Sequence, residues 1–234
     1  MAPSSHAIEI ADDDRVLPGV VYAADTAAAT GVTFVFAHGA GAGHASPFMR
    51  RFAELLAERG VAVVTFDFPY MAERRKLPDR PPTLERAFLA AMHAAVVQVA
   101  PATRALVVGG KSMGGRMATH LAAQANRWTG ALPLVGAVVF GYPLTPPGPR
   151  GGDRVSHLRQ LQVPLLVVQG TRDSFGGPDD VRAAVGDAAS IEILPVPTGD
   201  HSLKVLKSVG QSQADVERGV ATRVAEWIQR RAGV

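Results

Sequence analysis

The run Arg104-Ala-Leu-Val-Val-Gly109 passes directly into Gly110-Lys-Ser-Met-Gly114 and then into a helix-forming stretch that reaches Gln124. A buried strand is followed by a serine with glycine two places to either side, and then by a helix. Few folds accommodate that order. The turn is tight, and strand and helix pass so closely that a β-carbon at either glycine would clash. The serine side chain is left facing outward at the carboxyl end of the strand. This is the layout of a nucleophile elbow, which makes Ser112 a candidate nucleophile.

A serine needs a base to take its proton and an acid to orient the base. The chain order Ser…Asp…His that accompanies such an elbow is available. Asp173 lies in Gln169-Gly-Thr-Arg-Asp173 after the apolar run Pro164–Val168, and His201 lies in Gly199-Asp-His-Ser-Leu203 after Ile191–Val196. Both runs read as strands, and loops at strand carboxyl ends are where open α/β sheets place their chemistry. His44 is the rival base, and Asp67 and Asp200 are the rival acids. His38 reads as a brace for the glycine-rich turn that it precedes, and His120 as a histidine on the apolar face of a helix.

The remaining runs repeat one alternation. Thr33–Ala37 is a strand that ends in His38-Gly-Ala-Gly-Ala-Gly43, and Ser46–Arg59 follows with helical spacing at Phe48, Phe52, Leu55 and Leu56. Val61–Phe66 is the next strand, followed by Asp67-Phe-Pro-Tyr-Met71 and a charged, proline-rich loop to Pro82. Helix Thr83–Val99 leads to the strand before Ser112. Val135–Phe140 is a strand, Gly141–Asp153 a Pro/Gly-dense loop, Asp179–Gly186 a short helix and Ser212–Arg231 a closing one. Two short opening strands, Ala7–Ile10 and Gly19–Tyr22, read as an antiparallel edge turning at Asp12-Asp13-Asp14-Arg15. Strands alternating with helices predict an α/β fold: a mostly parallel central sheet with helices on both faces. Little chain lies between the strands at Val135 and Pro164, so no large lid is expected.

At 234 residues the chain is long enough for one well-buried core, and residues 1–234 are read as a single domain. No apolar run approaches the roughly 20 residues of a membrane helix. The start lacks a basic region followed by an apolar one, so the expected location is the cytoplasm. The absence of cysteine excludes disulfides, thiolate metal sites and a cysteine nucleophile. A net charge of +3 with scattered basic residues gives no nucleic-acid signature. The run Ala105–Ser112 begins with alanine where a phosphate loop has glycine, and Gly39–Gly43 is followed by His44 where a dinucleotide fingerprint has its last glycine. No histidine–carboxylate spacing suits a metal, and no cofactor is expected.

Five phrases together resemble a known family: His38-Gly-Ala-Gly-Ala-Gly43 with Ser46-Pro-Phe-Met49, Phe66-Asp-Phe-Pro-Tyr-Met-Ala72, Gly110-Lys-Ser-Met-Gly-Gly-Arg116, Phe140-Gly-Tyr-Pro-Leu144 and Gly199-Asp-His-Ser-Leu203. The chain is similar to α/β-hydrolases of the dienelactone-hydrolase-like branch. In particular it resembles small hydrolases related to a testis-expressed protein and to the third subunit of the nonspecific-lethal chromatin complex. The resemblance spans about residues 30–230. It implies an α/β-hydrolase fold and, with a Ser112–Asp173–His201 triad, hydrolysis of an ester or related acyl compound. Dienelactone hydrolases proper carry a cysteine nucleophile, where this chain has Ser112.

An acyl-transfer intermediate needs donors for its oxyanion, and the backbone N–H groups of Met113 and Ala40 are the candidates. His44, Tyr70 and Tyr142 are candidate contacts for a small acyl substrate, beside a charged loop Glu73–Pro82. Two other readings use the same residues: a hydrolase-fold interaction module without catalysis, and an amidase or peptidase.

Overall fold

The computed structural model describes residues 3–99, 102–145, 153–186 and 188–233. The strands are β1 (Ser5–Asp12), β2 (Arg15–Tyr22), β3 (Val32–Ala37), β4 (Ala62–Phe66), β5 (Ala105–Lys111), β6 (Leu134–Phe140), β7 (Leu165–Gly170) and β8 (Ile191–Val196). The helices are α1 (Pro47–Ala57), α2 (Pro69–Ala72), α3 (Pro81–Val99), α4 (Met113–Ala122), α5 (Pro178–Val185) and α6 (Gln213–Ala232). The strands form one sheet in the order β1-β2-β4-β3-β5-β6-β7-β8. β2 runs antiparallel to both β1 and β4, and every later pairing is parallel. This is the α/β-hydrolase fold that the sequence resemblance implies, and no lid stands over the sheet among the described residues.

The apolar runs that read as strands are apolar throughout because both faces of the sheet are covered. Successive side chains alternate between two cores. Val35 and Ala37 of β3, Leu106 and Val108 of β5 and Ala137 and Val139 of β6 pack under α3, α4 and α5. Phe34 and Phe36, Val107, and Val138 and Phe140 pack on the other side under α1 and α6. Chain order reverses at β3 and β5, since β4 lies outside β3 and β6 lies beyond β5. A crevice forms at the carboxyl ends of strands where connections diverge in this way. The glycine-rich loop leaves β3 there, and Ser112 follows β5.

Two local expectations change. The charged turn at Asp12–Arg15 shrinks to Asp13 and Asp14, because the ladder continues through the pair Asp12–Arg15. Asp13 takes the left-handed conformation at φ 53° that a two-residue hairpin turn requires. Asp12 is buried and accepts from Arg86 Nε of α3 at 2.9 Å, which fixes it in the strand. The expected loop after β4 contains α2, a helix too short for periodicity to reveal. Pro69 opens it, and Asp79 accepts the Tyr70 N–H at 2.9 Å. Of the expected loop Gly141–Asp153, positions 146–152 lie outside the described residues. No helix among the described residues is long and apolar enough to cross a membrane.

A polar seam joins α3, α4 and the short 3₁₀ turn Ser156–Gln160. Glu85 Oε1 lies 2.7 Å from His120 Nδ1, and the His120 ring meets that of His157 edge-on with centroids 4.4 Å apart. His157 Nε2 lies 2.9 Å from the hydroxyl of Thr119, which itself donates to the Arg116 carbonyl. Burial, followed by the nearby His120 and Arg116, pushes the His157 pKa down to about 4, with Asp153 and Glu85 opposing. The unfolded chain, with an imidazole near 6.5, binds a proton first as pH falls. The stability held by neutral His157 is therefore complete above pH 6.5 and is lost as pH falls toward 4. Urea unfolding at a series of pH values should show this slope, and His157→Gln should flatten it; an unchanged slope in the variant refutes the assignment.

Candidate active site

The turn after β5 is built by glycine. A β-carbon on Gly110 would stand 2.5 Å from the Ala37 carbonyl oxygen, and one on Gly114 would stand 2.5 Å from that of His38. The ends of β3, β5 and α4 therefore approach more closely than any side chain permits. Ser112 sits between them at φ 50° and ψ −113°, strained for a residue with a β-carbon. Its N–H donates to the Phe140 carbonyl and its own carbonyl accepts from Arg116, so both ends of the turn are anchored. The hydroxyl makes no capping bond to α4. It is free to face His201 instead.

The loop after β8 brings His201 back across the sheet, so that Nε2 lies 2.9 Å from Ser112 Oγ. Gly141, at φ 69°, gives it room: a β-carbon there would meet the His201 carbonyl oxygen at 2.8 Å and Nδ1 at 3.2 Å. The Phe175 ring stacks on the imidazole, with centroids 4.1 Å apart and planes inclined by 28°. Asp173, on the loop after β7, holds the other ring nitrogen. Its Oδ2 and Oδ1 lie 2.8 and 3.0 Å from His201 Nδ1. The side chain of Asp173 is 0% exposed, against 19% for His201. A buried carboxylate needs donors. Beyond the imidazole it accepts from the Phe175 N–H at 2.8 Å and from Gln169 Nε2 at 2.9 Å.

Three residues distant in sequence thus form one hydrogen-bonded line. With Nδ1–H donated to the carboxylate, Nε2 presents a lone pair to the hydroxyl. Such a line can remove the serine proton and hold the resulting imidazolium against a buried negative charge.

The rival residues are engaged elsewhere. Asp200 closes its own turn, its Oδ1 accepting from the N–H groups of Ser202 and Lys204 at 2.8 and 2.9 Å. Asp67 serves the glycine-rich loop, accepting the His44 N–H at 2.7 Å, with His44 Nδ1 at 3.1 Å. Burial works to raise the Asp67 carboxyl, but His44 outweighs it through ring and backbone, leaving the group below its ordinary value. His44 is thereby turned onto Asp67. His38 is fully buried. Its Nε2 accepts from the Phe68 N–H at 3.0 Å, so Nδ1 carries the proton and donates to the Gly39 carbonyl at 2.8 Å. Burial lowers its pKa and keeps it neutral in that brace.

Tyr70 and Tyr142 do not occupy the places expected of substrate contacts. Both are 0% exposed. The Tyr70 hydroxyl donates to the Ala40 carbonyl at 3.0 Å, and that of Tyr142 to the Arg154 carbonyl. They brace the loops that frame the site and offer no face to a ligand. Burial, aided by Asp67 and Asp79, raises the Tyr70 phenol, while burial pushes the Tyr142 phenol up to about 12, so both remain donors. In the charged loop Glu73–Pro82, Arg75 pairs with Glu73 and Asp79 at the surface.

The candidate oxyanion donors lie in the two segments that flank Ser112. Met113 is the first residue of α4, where helix geometry leaves its N–H without an intrahelical partner and the dipole favours negative charge. The Gly39 carbonyl points inward to His38, so in a planar trans peptide the Ala40 N–H points the opposite way. A β-carbon at Gly39 would lie 3.7 Å from that of Ser112, which puts this loop beside the serine. Among the described residues no cluster of three or more His, Asp or Glu side chains could hold a metal.

Gln169 escaped the sequence reading. It is fully buried at the end of β7, and besides Asp173 its Nε2 donates to the Gly176 carbonyl at 2.7 Å while its Oε1 accepts the Tyr142 N–H at 2.7 Å. One amide thus locks the Asp173 loop to the loop after β6. The only signal for it in the sequence is an amide side chain closing an otherwise apolar strand.

Solved structures of the same architecture include a dienelactone hydrolase from Anabaena variabilis, at 21% identity and TM-score 0.73 with 99% of each chain covered. A lidless α/β serine hydrolase from Xanthomonas campestris matches at 19% identity and TM-score 0.72, covering 96% of this chain and 95% of that one. An esterase from Pyrococcus furiosus matches at 17% identity and TM-score 0.74, covering 98% and 92%. No curated protein matches the chain. The family model described as an alpha/beta hydrolase domain matches residues 30–229, and the chain belongs to that family.

Proposed function

We propose that the protein is a serine hydrolase that cleaves carboxylic esters, thioesters included, through an acyl-Ser112 intermediate. The observation that carries this reading is the line Ser112 Oγ–His201 Nε2 at 2.9 Å and His201 Nδ1–Asp173 Oδ2 at 2.8 Å. As Ser112 Oγ attacks the acyl carbon, its proton passes to His201 Nε2. The carbonyl oxygen becomes an oxyanion between the N–H groups of Met113 and Ala40. Collapse expels the alcohol or thiol, which takes the proton from His201. Water then repeats the sequence on the acyl-enzyme, releasing the acid and restoring the serine. No step calls for a cofactor.

Hydrolase neighbours, among them an esterase and a serine hydrolase without a lid, support an ester substrate that reaches the site from solvent.

A fluorophosphonate probe tests the reading against that of a non-catalytic module. The folded protein should gain one covalent adduct, located by mass spectrometry at Ser112, together with turnover of short-chain p-nitrophenyl esters. A folded protein that stays unlabelled and inert overturns it.

A further inference from the structure

Lys111 ends β5 and immediately precedes Ser112. From there a long cationic side chain would ordinarily leave for water. This one turns inward. Its Nζ donates to the main-chain carbonyl of His201 at 3.3 Å and lies 5.2 Å from the centre of the Phe48 ring. Burial lowers the Lys111 pKa, while Asp173 and Asp200 favour its charge through space. Among the described residues neither carboxylate forms an ion pair with it.

The carbonyl it reaches needs a donor. It is turned against Gly141, where even a β-carbon would meet it at 2.8 Å, and among the described residues no backbone N–H bonds it. The bonds Asp200 N to Lys204 O and Leu203 N to Asp200 O close the His201 loop on itself, and Arg172 N to Gly199 O ties it to the Asp173 loop. β6 and β7 stand between β8, which carries this loop, and β5, which carries the serine. The loop crosses back over them to reach Ser112, and Lys111 meets its returning main chain with one side chain.

We propose that Lys111 is a positioning residue, whose ammonium ties the main chain of the His201 loop to the strand bearing Ser112 and so holds the imidazole on the hydroxyl. The inference rests on the reading of Ser112 and His201 as nucleophile and base. A partly buried ammonium without a carboxylate partner works against folding. A purely packing role would therefore be served as well by methionine, which has similar length and no charge.

Lys111→Met and Lys111→Arg separate the two roles. In Lys111→Met, kcat for a small neutral ester should fall roughly 10–100-fold, the size expected when a reacting group is slightly misplaced. KM should change by less than about threefold, because ground-state binding is untouched. Tm should change little, because relief of the partly buried ammonium offsets the loss of the donor to the His201 carbonyl. Lys111→Arg restores a donor and should recover most of kcat. Wild-type kcat in Lys111→Met, or a loss of kcat that merely follows a loss of Tm, overturns the proposal. The hydrogen-bonded Nδ1 proton of His201, observed by NMR in the same samples without substrate, should broaden in Lys111→Met and sharpen again in Lys111→Arg. An equally sharp signal in both variants overturns the tether. Because this readout needs no turnover, an inert wild type would count against the proposed hydrolase and leave the tether to be decided by the signal alone.

Discussion

Ser112→Ala should abolish ester turnover, by a factor on the order of 10⁴ or more in kcat, while leaving the fold as stable as before. The two halves of that result have separate causes. The hydroxyl makes one side-chain hydrogen bond, to His201 Nε2, and does not cap α4. Its removal leaves no buried donor orphaned, and alanine adopts the φ of 50° with the same strain that serine bears. Stability should therefore move by no more than about 0.5 kcal/mol, as for substitutions that break no packed contact. The chemistry has no substitute, since no cysteine exists and the neighbouring side chains of Lys111 and Met113 offer no hydroxyl. Adding His201→Ala to Ser112→Ala should lower the residual rate little further, because nucleophile and base act as a unit. The check is kcat on a p-nitrophenyl ester beside thermal melting of both variants. Turnover that survives in a folded Ser112→Ala protein would remove the serine from the mechanism.

The parts of this molecule that a sequence exposes are those governed by local rules. β3, β5, β6 and β7 announce themselves as short apolar runs ending in glycine or polar residues, because strands covered on both faces have no polar side to show. The elbow is equally legible, since its glycines are demanded by backbone contacts within a few residues of the serine and with the adjoining strand. Asp173 and His201 stand out by their position after strands. What stays hidden depends on which strand lies beside which. Nothing in the run Leu165–Gly170 says that the amide of Gln169 will face the loop after β6, because that follows from the sheet order β6-β7-β8. Lys111 is hidden for the same reason: its partner lies 90 residues later in the chain. Tyr70 and Tyr142 show the converse error. Each adjoins a loop at the crevice, but both rings turn into the core and spend their hydroxyls on carbonyls that set those loops.

Asp173→Asn should lower kcat by about 10⁴ although it changes one atom, since an asparagine here sets the imidazole in the wrong tautomer. The buried carboxylate accepts from three donors: His201 Nδ1, the Phe175 N–H and Gln169 Nε2. An amide has one acceptor oxygen and one donor nitrogen. If the new NH₂ faces Gln169, two donors oppose each other. Gln169 cannot turn to suit it, because its Oε1 already accepts from Tyr142 N and its Nε2 donates to the Gly176 carbonyl. If the NH₂ instead takes the place of Oδ1, it opposes the Phe175 N–H, and wherever it faces His201, Nδ1 must become the acceptor and the proton moves to Nε2. Nε2–H then donates to Ser112 Oγ and can no longer take its proton. Either arrangement strands a buried polar group, so stability should also fall by about 1–3 kcal/mol. Nitrogen NMR of labelled histidine checks the mechanism directly: the His201 signals should pass from the Nδ1–H to the Nε2–H pattern, in step with the loss of kcat. A variant that keeps the Nδ1–H form and turns over ester within tenfold of wild type would mean that Asp173 orients nothing, and that the base is held by the Lys111 tether and Phe175 alone.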